Sequence, residues 1–123
     1  MGTWAEGNFE NDGALDYVGE LIDSLSARIE EILDDEERSM LDEEGESVLV
    51  PSVEIISVLC EHCHAAPPKA KTVRQWRKRY LQVFDEEIGD LDPQGGFEAA
   101  RRQVIENTFE KLEDQARRFW KKA

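Results

Sequence analysis

The side chains with the clearest capacity for chemistry lie in one short stretch that contains Cys60, His62, Cys63 and His64. Thiolates and imidazoles are ligands that zinc prefers. On a helix, however, His62, Cys63 and His64 would point about 100° apart, so these three cannot converge on one tetrahedral ion. Cys60, Cys63 and His64 could still hold a metal if a carboxylate completed the set, and a metal-dependent enzyme that uses them is the alternative function. We favour the alternative, in which both cysteines are buried structural thiols.

A second group combines aromatic rings with carboxylates near the start of the chain. Asp12 and Asp16 are one helical turn apart and could line a cleft beside Trp4 and Phe9 that binds a ligand or a partner. In the alternative that we favour, Trp4 and Phe9 flank Gly7 and fold back as an aromatic hook that closes the end of a helical core. The sequence supplies neither a nucleophile nor a complete metal set, so we favour a non-enzymatic protein without a cofactor.

The only concentrated basic stretch spans residues 69–79 and is interleaved with Trp76 and Tyr80. Such a stretch could follow a phosphate backbone. The two aromatic residues share a helical face with Val73 and Phe84, which favours core packing over base stacking. Nucleic-acid binding through this third helix is therefore the weakest of the functional hypotheses.

Arg77 falls within the apolar arc between Trp76 and Tyr80. A buried guanidinium needs a charged partner, and we expect a carboxylate from another element, with Asp12 or Asp16 as the candidates. Alternatively, the aliphatic part of Arg77 lies along the apolar surface and its charged end reaches water. The candidate partner or ligand site therefore consists of Trp4, Phe9, Asp12, Asp16 and Arg77.

The formal net charge of −13 is divided unevenly along the chain. Residues 1–64 carry 18 acidic and two basic side chains, whereas residues 65–123 carry 10 acidic and 13 basic side chains. The two parts could neutralise each other on folding, which is the reading that we favour. In the alternative, the acidic part stays exposed, repels nucleic acid and anionic membranes, and attracts a basic partner protein.

The 123 residues are close to the usual size of one domain, and the apolar and aromatic content is enough for a core. Hydrophobic periodicity predicts an all-α bundle of about four helices within one domain, residues 1–123. The predicted helices cover residues 12–37 after an Asn11 or Asp12 cap, residues 51–64 with Pro51 in the first turn, residues 72–88 from a Thr72 cap to Gly89, and residues 97 to near the C-terminus.

Two connecting segments are also predicted. The acidic stretch 34–47, interrupted by Gly45, is expected to be a frayed helix end and a solvated loop, with a short strand over residues 48–50 as an option. Pro67 and Pro68 mark a turn between the second and third helices. No apolar run is long enough for a membrane span, the first thirty residues are unlike a secretory signal, and the two cysteines suit a reducing compartment. We therefore expect a cytoplasmic protein that does not bind membranes.

The opening stretch MGTWAEGNFENDGALDYVGEL resembles the N-terminal signature of a bacterial family, domain of unknown function 4259. Its members typically open with Gly, Trp, a Gly-containing turn and Phe, followed by Asp, Ala and Asp. Ala5 stands where a glycine is common. The resemblance covers about the first twenty residues and implies the fold rather than an activity. Our leading hypothesis is an interaction protein or inhibitor, comparable to an immunity factor, whose acidic face binds a basic protein.

Overall fold

The chain forms four α-helices in a computed structural model that describes residues 5–40, 43–91 and 95–121, with 88–91 and 95–98 described as backbone only. The helices are α1 (Asp12–Leu33), α2 (Val50–Cys63), α3 (Ala70–Leu91) and α4 (Gly95–Trp120), and a π-helical segment (Gly45–Leu49) leads into α2. These described ranges contain no β-strand. The prediction of an all-α bundle of four helices is confirmed.

The helices form two antiparallel pairs. In the first pair, Phe9, just before α1, contacts His62 at the end of α2. In the second pair, Asp85 on α3 binds Arg102 near the start of α4. The two pairs pack side by side, with α1 against α3 and α2 against α4.

The side-by-side packing makes α2 and α4 parallel neighbours. Glu46, before α2, binds Arg101 near the start of α4, and Glu61 near the end of α2 binds Lys111 further along α4. Both helices therefore run in the same direction. Since α1 packs on α2 and α3, it lies diagonally opposite α4.

The core lies between the two pairs and is built from all four helices. Trp76 and Tyr80 are buried, which confirms that these aromatic side chains of α3 pack in the interior. Tyr80 lies beside Phe109 of α4, with ring centroids 6.2 Å apart. The remaining large buried side chains include Val18, Ile22, Ile29, Ile32, Leu49, Val53, Ile56, Phe84, Ile105 and Leu112.

The first helix begins as predicted and ends earlier than predicted. The Asn11 side chain accepts a hydrogen bond from the backbone N–H of Ala14 at 2.7 Å, so Asn11 is the cap. The helix ends at Leu33 rather than near residue 37. Beyond it, the Asp35 carboxylate accepts the backbone N–H groups of residues 37 and 38, which replaces the helical hydrogen bonds by a local turn.

The connector between α1 and α2 is more ordered than a solvated loop. Gly45 is buried, and its N–H donates to the carbonyl of Arg38 at 2.8 Å. A Cβ atom at this position would overlap the backbone carbonyl of Ser39, so the close approach of the two backbone segments requires glycine. Residues 48–50 are helical, and the optional strand there is wrong.

Helix α2 begins as predicted, with Pro51 in its first turn. Helices α3 and α4 both begin earlier than predicted. The third helix begins at Ala70, so Thr72 lies inside it, and it continues through Gly89 to Leu91. A glycine inside a helix costs only about 1 kcal/mol, which neighbouring helical hydrogen bonds can offset. The fourth helix begins at Gly95, two residues before the predicted start.

Two phenylalanines of α4 provide a test of the core. Phe109 is 0% exposed and Phe119 is 44% exposed. Replacing Phe109 by Ala should lower the free energy of unfolding by about 3–5 kcal/mol, because it removes a ring from a packed interior. Phe119→Ala changes helix propensity equally and should cost about 1 kcal/mol or less. Urea unfolding followed by circular dichroism measures both, and equal losses would show that Phe109 is not a core residue.

Candidate functional site

The opening segment and the end of α2 enclose a cleft of about 440 Å³. Phe9 is partly buried against the core, and its ring meets the His62 ring edge to face with centroids 5.9 Å apart. Phe9 thus occupies the position predicted for the aromatic hook. Trp4, the other predicted member, lies outside the described residues. The lining of the cleft consists of Gly7, Asn8, Phe9, Glu10, Leu15, His62, Cys63 and His64.

The carboxylates predicted to line this cleft are placed elsewhere. Asp12 and Asp16 are exposed on α1 and are not among the residues that line this cleft, so a site formed by them beside Trp4 stays a prediction. The carboxylate that does line it belongs to Glu10. Asn11 caps α1, and from this start Asp12 and Asp16 project to the solvent side while Leu15 faces the cleft.

The Cys/His stretch sits at the C-terminal end of α2. His64 ends this helix in the left-handed conformation, with φ of 60°, and lines the cleft as well as a neighbouring one of about 420 Å³ that extends to α4. Cys60 and Cys63 are free thiols and both are buried. Burial raises the pKa of the Cys60 thiol to about 11, so this thiol is protonated at neutral pH and is a poor metal ligand.

A metal centre is not formed in the described ranges. No three His, Cys, Asp or Glu side chains there are grouped so that they could hold a metal ion. The helical geometry explains this, because Cys60 and Cys63 turn into the core while His62 and His64 are exposed.

Arg77 pairs with a carboxylate, as predicted, but with a different one. Its Nη1 atom lies 3.3 Å from Oε1 of Glu113 on α4, so the expected pairing with Asp12 or Asp16 is wrong. The physical reason is packing, since α3 makes its most extensive contact with α4, whereas α1 lies at the other side of α3. The Arg77 side chain is half-buried, and its guanidinium joins α3 to α4.

Glu113 is the centre of a cluster of charges. Only 4% of its side chain is exposed, and its Oε2 atom lies 3.2 Å from Arg74 Nε and 3.1 Å from Arg117 Nη1. Arg117 also binds Asp114. Sequence analysis missed Glu113, although a signal was present: it lies at the border of the apolar stripe of α4, one position after Leu112 and three before Ala116.

The aromatic side chains between the basic residues of α3 pack inside the bundle. Trp76 and Tyr80 are buried, so neither ring is available for stacking. Trp76 Nε1 donates to Glu30 of α1 at 3.2 Å. Arg79 donates to the Leu33 carbonyl at 3.0 Å and to the Asp34 carboxylate at 2.9 Å, which ties α3 to the end of α1.

The exposed side of α1 keeps most of its negative charge. We define the acidic face of α1 as Asp12, Asp16, Glu20 and Asp23, which lie within one arc of about 80° on the helix. All four are exposed, and none forms an ion pair with another residue in the part of the chain that the structure describes. Arg74 and Arg77 of the neighbouring helix α3 bind Glu113 instead.

A family model for Domain of unknown function (DUF4259) matches residues 2–122. The chain belongs to this family. The match extends the resemblance of the opening stretch over all four helices of the bundle, so the DUF4259 region includes the cleft, the acidic face and the Glu113 cluster. Comparisons with curated proteins and with solved structures gave no match. Within the described residues, none of the helices has the combined length and apolar character of a membrane span.

The Glu113 cluster predicts an unequal effect of two neutralising substitutions. Glu113→Gln should lower the free energy of unfolding by about 1–3 kcal/mol, because a buried charged acceptor for three arginines is lost. Asp114→Asn, next in sequence but exposed, should cost less than about 1 kcal/mol. Urea unfolding at neutral pH compares the two variants. Equal losses would mean that burial gives Glu113 no special role.

The raised pKa of Cys60 predicts that the protein loses stability at alkaline pH. The folded protein keeps the thiol proton up to a pKa of about 11, whereas the unfolded chain loses it near 9.0. The stabilising contribution is therefore complete below pH 9.0 and is lost as the pH rises toward 11. The free energy of unfolding of Cys60→Ala should be lower throughout and should fall less steeply across this window. Burial also raises the pKa of Tyr80, but this effect is common to both proteins. Parallel pH profiles would contradict the prediction.

Proposed function

We propose that this protein is a non-enzymatic interaction protein of the bacterial cytoplasm, an inhibitor or immunity-like factor, and that the acidic face of α1 binds a basic surface of its partner. The observation that carries the proposal is the lack of internal neutralisation of that face. Asp12, Asp16, Glu20 and Asp23 are exposed without ion pairs in the described part of the chain.

The distribution of the arginines supports this proposal. Among the described residues, three ion pairs join the basic part of the chain to the acidic part, Arg79 with Asp34, Arg101 with Glu46 and Lys111 with Glu61, and none of them lies on the acidic face of α1. Arg74, Arg77 and Arg117 surround Glu113 within the basic part. A surface of one sign of charge raises the association rate with a partner of opposite charge.

An aromatic side chain beside the acidic face supports a protein partner rather than a small cation. Tyr17 is 61% exposed on α1 and Leu21 follows it one turn later, also exposed. Tyrosine is among the residues that contribute most to binding energy in protein interfaces, and a neighbouring aliphatic side chain adds apolar area. Tyr17 lies three residues before Glu20 and is its neighbour on the helix surface, so apolar contact and charge attraction would act on the same partner.

Charge reversal on α1 tests the proposal. The triple variant Asp16→Lys, Glu20→Lys and Asp23→Lys should keep its fold and lose affinity for the partner by about tenfold or more, because close charge pairs and electrostatic steering are both removed. The partner is recovered from extract of the host cells on the immobilised wild-type chain, identified by mass spectrometry, purified and titrated by calorimetry.

A matched control separates local charge from net charge. The variant Glu86→Lys, Glu110→Lys and Asp114→Lys changes the net charge equally, at exposed positions away from α1. This control variant should bind the partner almost as tightly as the wild type does. Tyr17→Ala should weaken binding, whereas Phe119→Ala should not. If both triple variants recover the same proteins with the same affinities, the acidic face is not the binding surface. Inhibition of the partner's activity by the wild type, and not by the α1 variant, identifies the inhibitor role.

A further inference from the structure

Helices α2 and α4 form an exposed apolar strip between them. Ile55 and Val58 of α2 are 47% and 52% exposed, and Val104 of α4 is 51% exposed. Two shallow depressions of about 310 and 300 Å³ run along the strip and share Val58, Val104 and Thr108 in their walls. The exposed aliphatic side chains of the two helices thus form one continuous surface. Exposed apolar residues without a function are usually scattered singly over a protein.

Ion pairs bridge the groove between α2 and α4 at both ends of this strip. Glu46 binds Arg101 at 3.4 Å at one end, and Glu61 binds Lys111 at 3.3 Å at the other. In both pairs the acid belongs to the α2 side and the base to α4. Glu54, at the middle of the α2 side, lines both depressions and adds to its negative charge. The strip therefore has one acidic edge and one basic edge.

This pattern is complementary to itself. Because α2 and α4 run parallel, a two-fold axis along the groove places α2 of one copy over α4 of the other without reversing their direction. The acidic edge of each copy then faces the basic edge of its partner at both ends, and the apolar centre faces itself. We propose that the α2/α4 strip binds a second copy of this chain in a symmetric homodimer.

The remaining charge of the protein is compatible with such a dimer. Two chains with a net charge of −13 repel each other, but the acidic face of α1 does not border the strip, since α1 lies diagonally opposite α4. The two acidic faces would lie on the outer sides of the dimer. Aliphatic residues at the centre and paired charges at the rim are the usual arrangement of a protein interface.

The molar mass of the full-length protein tests this proposal. Sedimentation equilibrium of the wild type should show a mass that rises with concentration from 14.1 kDa toward that of two chains. Val58→Glu should raise the dimer dissociation constant by about tenfold or more, because it places like charges in the apolar centre. Leu21→Glu, an equivalent change on α1, should leave it unchanged. Circular dichroism confirms that the variants are folded.

Charge exchange at the rim provides a second test with exposed side chains. Glu61→Lys alone, or Lys111→Glu alone, should weaken the dimer, because like charges then meet across the interface. The double variant, Glu61→Lys with Lys111→Glu, should restore the affinity of the dimer. A wild-type mass that stays at one chain at every concentration overturns the proposal, whether or not another protein binds the strip. Equal dissociation constants for Val58→Glu and Leu21→Glu, or a double variant as weak as the single ones, would also overturn it.

Discussion

Glu113 carries its carboxylate into the contact between α3 and α4, and both oxygens lie near guanidinium groups. Removing a charge from water is costly unless the partners are close, so the arginines around it are committed to this contact. Arg74 and Arg77 come from α3 and Arg117 comes from α4, one turn after Glu113. The same interaction that joins the second pair of helices therefore occupies three arginines of the basic part of the chain. The carboxylates of the acidic face of α1 lie outside this cluster and are exposed.

The connection between α2 and α3 decides which helices become neighbours. His64 ends α2 in the left-handed conformation, and the prolines at 67 and 68 prevent the helix from resuming at once. The connection is fixed at the far end of the bundle, where Trp120 donates to the Pro67 carbonyl at 2.9 Å and Lys69 lies 3.4 Å from the centre of the Trp120 ring. The chain thus enters α3 next to α1, which leaves α2 and α4 as parallel neighbours with a groove between them.

Much of the bundle could be predicted from local pattern. The apolar spacing on α1, the Asn11 cap and Pro51 in the first turn of α2 are properties of a few adjacent residues, and the structure contains each of them. Some wrong predictions concern local structure: Asp35 forms a turn after the early end of α1, and α3 continues through Gly89. The partner of Arg77 depends on a distant residue, because α4 places Glu113 beside that side of α3. The cleft could be predicted only in part: Phe9 is in place, but its contact with the end of α2 depends on the antiparallel return of the chain.

The two proposed interactions are expected to respond to salt in opposite directions. Binding of a basic partner to the acidic face of α1 depends on exposed charges without ion pairs in the described residues, and screening such charges weakens the attraction. Association of two copies through the α2/α4 strip depends on apolar contact and on short ion pairs, while the repulsion between two net charges of −13 acts over longer distances. Salt screens the long-range repulsion more than the close pairs, so moderate salt favours the dimer. This difference in sign follows from the range of the two interactions, since the exposed carboxylates of α1 attract a partner over the distances that salt screens, whereas the apolar centre of the strip acts only on contact.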